Sequence, residues 1–150
     1  MTQGCEYTVK EVQIEGKSYT SVEQHLIDIA GQNIFKEITF DLLCKANQVM
    51  LVYDCTNADS FHLLRQWFDG IKQQNPGKSL QGVVVSNKAD LETRMVVSAQ
   101  DGHAFANSIG FEFFEVSALQ SRSIEEPFKA LAHMYLDKYN EKINTLLTDE

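Results

Sequence analysis

The residues whose types and spacing most strongly indicate a ligand-binding site are Asn87, Lys88 and Asp90. They follow an apolar run at residues 83–85. The Asp90 carboxylate could accept hydrogen bonds from the ring N–H and the exocyclic amine of guanine, a pair of donors that adenine lacks. Asn87 could brace the loop, and the aliphatic stem of Lys88 could lie flat over a base. The alternative is a polar turn that ends a strand. The spacing favours a guanine-binding loop.

Asp28, Gly31 and Gln32 form a second cluster with the pattern D-x-x-G-Q. An aspartate can hold Mg²⁺ through water, a glycine N–H can reach a terminal phosphate, and a glutamine can orient an attacking water. D-x-x-G alone is a common tetrapeptide, and Gln32 is equally well explained as a solvated loop residue. Ser117 and Ala118 add backbone N–H groups after another apolar run, where a base carbonyl could bind.

Composition limits the class of protein. The chain has 150 residues, the usual size of one domain, and we expect residues 1–150 to form a single domain. Its 13 basic and 21 acidic residues leave a net charge of −8, which disfavours nucleic-acid binding and electrostatic docking on anionic membranes. Three cysteines without C-x-x-C spacing and four scattered histidines favour a reducing, cytoplasmic environment over a disulfide framework or a zinc site.

The apolar pattern predicts the elements that must position these clusters. Alternation around a glycine-containing connection predicts an antiparallel hairpin at residues 7–14 and 19–27. Short, continuously apolar runs predict buried parallel strands at residues 49–53, 83–85 and 111–116. Helical periodicity predicts helices at residues 60–74, 98–109 and 123–147. A capping box formed by Ser123 and Glu126 is predicted to begin the last helix.

This alternation of strands and helices predicts a three-layer α/β domain with right-handed βαβ connections. In such folds, ligands bind outside the carboxyl ends of the strands. The polar residues at 28–32, 87–90 and 117–118 each follow a predicted strand. We therefore expect the three clusters to gather at one edge of the sheet.

Four segments, in their order and spacing, resemble a Ras-superfamily small GTPase of the Rab type. They are Asp28-Ile-Ala-Gly-Gln32, Val52-Tyr-Asp-Cys-Thr-Asn57, Asn87-Lys-Ala-Asp-Leu91 and Glu115-Val-Ser-Ala118. Residues 124–143, together with the lack of prenylation cysteines, make the chain most similar to the Rab-like GTPases of intraflagellar transport complex B. The resemblance covers the whole chain and implies a P-loop NTPase-like G domain with a mostly parallel sheet.

The resemblance implies a role for each residue of the clusters. On the phosphate side, Thr2 and Asp28 would bind Mg²⁺, Gly31 would contact the γ-phosphate and Gln32 would position the attacking water. On the base side, the residues that would bind guanine are Asn87, Lys88 and Asp90, with support from Ser117 and Ala118. The implied ligands are GTP or GDP and Mg²⁺.

The sequence departs from the family pattern in its phosphate-binding segment. No P-loop, G-x-x-x-x-G-K-[ST], occurs in the 150 residues; the G-K-S tripeptides at 16–18 and 77–79 lack the upstream glycine. We expect the family's first strand, P-loop and first helix to be missing and nucleotide and Mg²⁺ binding to be impaired. In the family that strand lies between those predicted at 23–27 and 49–53, so its loss would leave two strand edges without partners.

Three functions follow as alternatives. The first is a guanine-nucleotide switch with slow GTP hydrolysis that acts in intraflagellar transport. The second is a nucleotide-independent scaffold, a pseudo-GTPase that keeps the fold without the phosphate site. The third is a Rab GTPase of membrane trafficking, which the lack of a lipidated tail disfavours.

The last predicted helix is expected to bind a partner. Its apolar stripe continues through Tyr139, Ile143, Leu146 and Leu147, beyond the length needed to cover a small sheet. Such an overhang is either a frayed tail or an interface. By the resemblance, the partners are a small β-sandwich subunit and other proteins of intraflagellar transport complex B. This implies a location in the cytoplasm and the cilium or flagellum, without a direct lipid anchor.

Overall fold

The computed structural model describes residues 5–14, 21–30 and 46–148. The elements in chain order are β1 Cys5–Gln13, β2 Ser21–Ile29, β3 Gln48–Asp54, α1 Ala58–Gln74, β4 Gln81–Asn87, α2 Ala99–Ile109, β5 Glu112–Glu115 and α3 Glu126–Thr148. A 3₁₀ turn at Glu92–Arg94 lies between β4 and α2. The predicted strands and helices are all present, with boundaries shifted by a few residues.

β4 is the central strand of a three-stranded parallel sheet and pairs with β3 on one side and β5 on the other. Successive valines of β4 point to opposite faces, as the two-residue period of a strand requires. Val84 packs in the cluster that α1 and α2 cover, whereas Val83 and Val85 pack with Leu131 of α3. The predicted α/β class, with helices on both faces of a parallel sheet, is confirmed.

β1 and β2 form the predicted antiparallel hairpin, in a register that runs from Cys5 opposite Ile29 to Gln13 opposite Ser21. The strand prediction ended too early, because β2 continues to Ile29. Asp28 therefore lies inside the strand, opposite Glu6, and not in a loop that follows it.

Helix α3 holds the hairpin beside the parallel sheet. Val12, Ile14 and Val22 pack against Ala132, which is fully buried. Polar contacts add to this packing: Gln24 Nε2 donates to the Phe128 carbonyl at 2.8 Å. Among the described residues, no strand joins the two sheets, so the outer edge of β3 has no strand partner there.

The first two long helices begin at side-chain caps. The Asn57 side chain accepts from the Ser60 N–H at 3.2 Å at the start of α1. Ser98 caps α2 by accepting from the Asp101 N–H at 3.1 Å and donating to its carboxylate at 2.6 Å. Gly110, in the left-handed region with φ 75°, ends α2.

The predicted capping box at the start of the last helix is wrong. Ser123 has φ 55°, outside the extended conformation of an N-cap, and α3 begins at Glu126. The preceding chain turns back through a bridge between Ser117 and Arg122, with Ser121 also left-handed. This turn uses the residues before Glu126, so the helix starts three residues later than the sequence indicates.

Gly82 lies where β4 passes closest to its neighbours. A Cβ there would overlap the Val49 carbonyl oxygen and lie 2.6 Å from Phe111 Cε2. The oxygen belongs to a strand backbone and cannot move aside, so we expect Gly82→Ala to lower the free energy of unfolding by about 1–3 kcal/mol. Urea denaturation measures this change, with Ser79→Ala in the exposed connection before β4 as the control. Equal stability of Gly82→Ala and wild type would contradict this packing.

Candidate functional site

Asn87 joins the loops that follow β4 and β5. Its side-chain oxygen accepts from the Lys88 N–H at 2.7 Å and from the Ala118 N–H at 3.2 Å. A second link runs the other way, from the Ala89 N–H to the Val116 carbonyl at 3.1 Å. The polar residues predicted to recognise a base therefore lie together at the carboxyl edge of the parallel sheet.

Ser117 orients the carboxylate of Asp90. The buried Ser117 hydroxyl donates to Asp90 Oδ1 at 2.5 Å and accepts from the Gln120 N–H at 3.1 Å. Each carboxylate oxygen has two lone pairs, so Asp90 can still accept the paired N–H donors of a guanine edge. The geometry thus fixes the direction of Asp90 and leaves acceptor capacity for a ligand.

The backbone N–H groups of Ser117 and Ala118 differ from the sequence expectation. The Ser117 N–H donates to the Arg122 carbonyl at 3.1 Å, and the Ala118 N–H donates to Asn87. The Ser117 N–H is therefore used inside its own turn, because the chain must reverse before α3. Ser117 contributes to the site through its hydroxyl, and a base carbonyl would have to share the Ala118 N–H with Asn87.

Asp54, which sequence reasoning did not select, forms an ion pair with Lys88. The Lys88 ammonium lies 2.5 Å from Asp54 Oδ2, and the other carboxylate oxygen accepts from the Thr56 N–H at 2.8 Å and its hydroxyl at 2.6 Å. Burial opposes ionisation of Asp54, but the hydrogen bonds from Lys88 and Thr56 outweigh it, so the pKa of Asp54 is lowered. The same hydrogen bond to Asp54 raises the pKa of Lys88. Asp54 could have been identified from the sequence by its position directly after the strand predicted at residues 49–53.

Cys55 links the end of β3 to the loop after β4 through two hydrogen bonds. Its backbone N–H donates to the Asn87 carbonyl at 3.1 Å, and its thiol donates to the Lys88 carbonyl at 3.4 Å. The side chain is completely buried, and this burial raises the pKa of the Cys55 thiol. The thiol therefore stays protonated at neutral pH and serves as a hydrogen-bond donor.

Comparison with known proteins identifies the family of this site. A model of the Ras family matches residues 1–137. The chain belongs to the Ras family. The sequence-based resemblance to Ras-superfamily proteins is thereby confirmed. The base-side cluster, which consists of Asn87, Lys88, Asp90, Ser117 and Ala118, is the part of the chain that the resemblance predicts to face guanine. Members of this family bind guanine nucleotides together with Mg²⁺.

Individual relatives show which proteins of the Ras family the chain is similar to. The chain is 37% identical over 143 residues to the human "Intraflagellar transport protein 27 homolog". The aligned region covers 95% of this chain and 76% of the human protein. The mouse homologue is 36% identical over 148 residues, covering 99% of this chain and 79% of the relative. The rat "GTP-binding protein Rab-3D" is 35% identical over 142 residues, and the aligned region covers 95% of this chain and 63% of the rat protein.

The phosphate-side residues of this Ras-family chain are not assembled within the described ranges. Thr2, Gly31 and Gln32 lie outside the described residues, and their roles stay predictions. Asp28 is exposed on β2, in a different sheet from β4, which ends at Asn87 and precedes the loop that carries Asp90. Within residues 5–14, 21–30 and 46–148, no group of three or more His, Cys, Asp or Glu side chains could hold a metal ion. The Mg²⁺-binding role of Asp28 therefore stays a prediction as well.

An open apolar cavity of about 290 Å³ borders the base-side cluster at Asn87 and Ala118. Val52 and Val85 contribute to its sheet side and Phe128 to its helix side. Val52 is 50% exposed, so the face of the sheet that α3 covers at β4 is only partly covered at β3 by the described residues. In the part of the chain that the structure describes, no helix combines the length and apolarity needed to cross a bilayer.

The lowered pKa of Asp54 predicts a pH-dependent contribution to stability. A carboxylate with a lowered folded pKa stabilises the native state above its ordinary pKa, here 3.8, and loses this contribution as the pH falls through the folded value. We expect wild type to be more stable than Asp54→Asn by a constant amount between about pH 7 and pH 5, and the difference to shrink as the pH falls below 3.8 toward the lowered pKa of folded Asp54.

Urea denaturation at a series of pH values tests this expectation. Asp59→Asn, an exposed aspartate in the first turn of α1, controls for the loss of one negative charge. A difference between wild type and Asp54→Asn that persists unchanged down to pH 3 would show that ionisation of Asp54 does not stabilise the fold.

Proposed function

We propose that this Ras-family chain is a Rab-like guanine-nucleotide switch with slow GTP hydrolysis that acts in intraflagellar transport. The observation that supports this most directly is the connected base-side cluster. Asn87 braces two loops, Ser117 orients Asp90, and Asp54 holds Lys88. This arrangement presents one carboxylate and one aliphatic stem at the same sheet edge, which suits a planar base with two adjacent donors.

The contacts of each base-side residue support the role proposed for it. Asp90 accepts the two N–H donors of guanine, and Ser117 keeps the carboxylate pointed toward them. The stem of Lys88 covers one face of the base. A ligand that offers only one donor would leave part of the Asp90 acceptor pair unsatisfied, which costs about 1–3 kcal/mol for a buried group.

The phosphate-side roles complete the proposal. Thr2 and Asp28 would hold Mg²⁺, Gly31 would contact the γ-phosphate and Gln32 would orient the attacking water. When bound, Mg²⁺ neutralises the charge that develops on the transferred phosphoryl group. Because the 150 residues contain no P-loop motif, we expect their affinity for GTP to be weak.

The relatives' names support the cellular role. The human and mouse relatives described above are named for intraflagellar transport, and we infer the same process for this chain, with location in the cytoplasm and cilium. A nucleotide-independent scaffold is the second candidate, and the missing P-loop motif is the observation that favours it. Specific nucleotide binding separates the two functions.

Asp90→Asn is expected to relax the preference for guanine. An asparagine amide cannot accept two N–H donors with both side-chain atoms, whereas it can donate to the extra carbonyl of xanthine. We expect GTP affinity to fall roughly tenfold or more and XTP affinity to rise, measured by titrations followed through amide NMR signals. Glu92→Gln, an exposed acid in the 3₁₀ turn, is the matched control. Equal GTP and XTP affinities for wild type would favour the scaffold.

Helix α3 changes character along its length. Its first turns are buried, with Pro127, Leu131 and Ala132 in the core. The later turns expose the predicted apolar stripe: Tyr135 44%, Tyr139 51%, Ile143 36%, Leu146 71% and Leu147 68%. Tyr135 and Tyr139 stack with ring centroids 6.4 Å apart, so the stripe begins as an ordered aromatic surface. We propose that it binds the small β-sandwich subunit of intraflagellar transport complex B, with other complex proteins nearby.

Ile143→Asp/Leu147→Asp is expected to abolish co-purification with that subunit. Burial of each side chain contributes roughly 1.5–3 kcal/mol before ordering costs, and a buried unpaired carboxylate opposes binding further. Lys138→Gln/Thr145→Asp changes the net charge by the same two units on the other side of the helix and serves as the control. Equal recovery of the subunit with both double variants would show that the end of α3 is only a tail.

A further inference from the structure

We propose that Asp54 is a positioning residue for the purine base: it anchors the Lys88 ammonium so that the lysine stem forms one wall of the base site. The proposal rests on the guanine-binding function above. Asp54 touches no ligand in this scheme and acts through Lys88.

Lys88 needs an external anchor because its own loop does not orient its side chain. The residue has φ 65°, a left-handed conformation, and its side chain is 52% exposed. Four rotatable bonds would leave the stem free to sample many conformations in solvent. The ammonium is instead held 2.5 Å from Asp54 Oδ2, which restricts both ends of the stem.

Asp54 is itself firmly placed, so it can act as an anchor. Thr56 donates to its carboxylate through both the backbone N–H and the hydroxyl. The Asp54 N–H donates to Ser60 Oγ at 3.1 Å, and the parallel register sets Asp54 beside Asn87. The carboxylate is thus positioned by contacts from the end of β3 and the start of α1, in addition to its ion pair with Lys88.

This arrangement separates two properties of base binding. Asp90 reads the edge of the base and determines selectivity, whereas the Lys88 stem contacts the face that all purines share. An anchor that acts through the stem should therefore change the affinity for guanine and hypoxanthine equally. A residue that only held the loop in shape would also displace Asp90 and change the selectivity.

The test compares GMP and IMP, which lacks the exocyclic amine, by titrating the full 150-residue chain and following its amide NMR signals. We expect wild type to bind GMP more tightly than IMP. Asp54→Asn should weaken both by the same factor, about two- to tenfold, the cost of ordering one long side chain on binding. Asp59→Asn is the matched control and should bind both ligands as wild type does.

Lys88→Met provides a second test at an exposed side chain, with a stem that has lost the charged end. It should weaken both ligands to the same extent as Asp54→Asn, and the double variant Asp54→Asn/Lys88→Met should be no weaker than either single variant. Unchanged GMP affinity in Asp54→Asn, an additive double variant, or a GMP-to-IMP ratio that falls as in Asp90→Asn would each overturn the positioning role. A wild type without preference for GMP would instead refute the guanine-binding function, and the role of Asp54 with it.

Discussion

The parallel pairing of β4 between β3 and β5 is the constraint on which the base-side cluster depends. β4 is covered on both faces, so its register with both neighbours is set by packing of buried valines. That register places Asp54 beside Asn87 and Ser86 beside Glu115. The chain consequently leaves all three strands at the same edge, and the polar residues that follow them meet there.

Short hydrogen bonds between loops turn this edge into one connected unit. Asn87 joins the loop after β4 to Ala118, Ser117 joins Asp90 to the turn before α3, and Asp54 joins Lys88 to the start of α1. Selectivity for a base in such a unit arises from directed donors and acceptors and does not require a positive surface. The base recognition proposed above is therefore compatible with a net charge of −8.

Helix α3 combines a structural part with an uncovered part. Its first turns contact both the hairpin and the parallel sheet, which hold no strand in common among the described residues. Its later turns expose Tyr139 and Ile143 instead of burying them. The cavity beside Val52 is a second uncovered apolar surface, on the side of the parallel sheet that α3 covers only in part. Among the described residues, the packing of α3 therefore helps to hold the hairpin beside the parallel sheet.

The sequence by itself determined the α/β class and the positions of the strands and helices, because apolar periodicity is a local property of a chain. A short motif, which is equally local, predicted Asn87, Lys88 and Asp90 as base-side residues. Tertiary structure decided what these residues contact. The Asp54–Lys88 pair joins residues far apart in sequence and follows from strand register, and the use of the Ser117 hydroxyl follows from the turn that precedes α3. That turn also overrode the local capping signal. Register and chain reversal are set by packing among distant residues, which no local pattern contains.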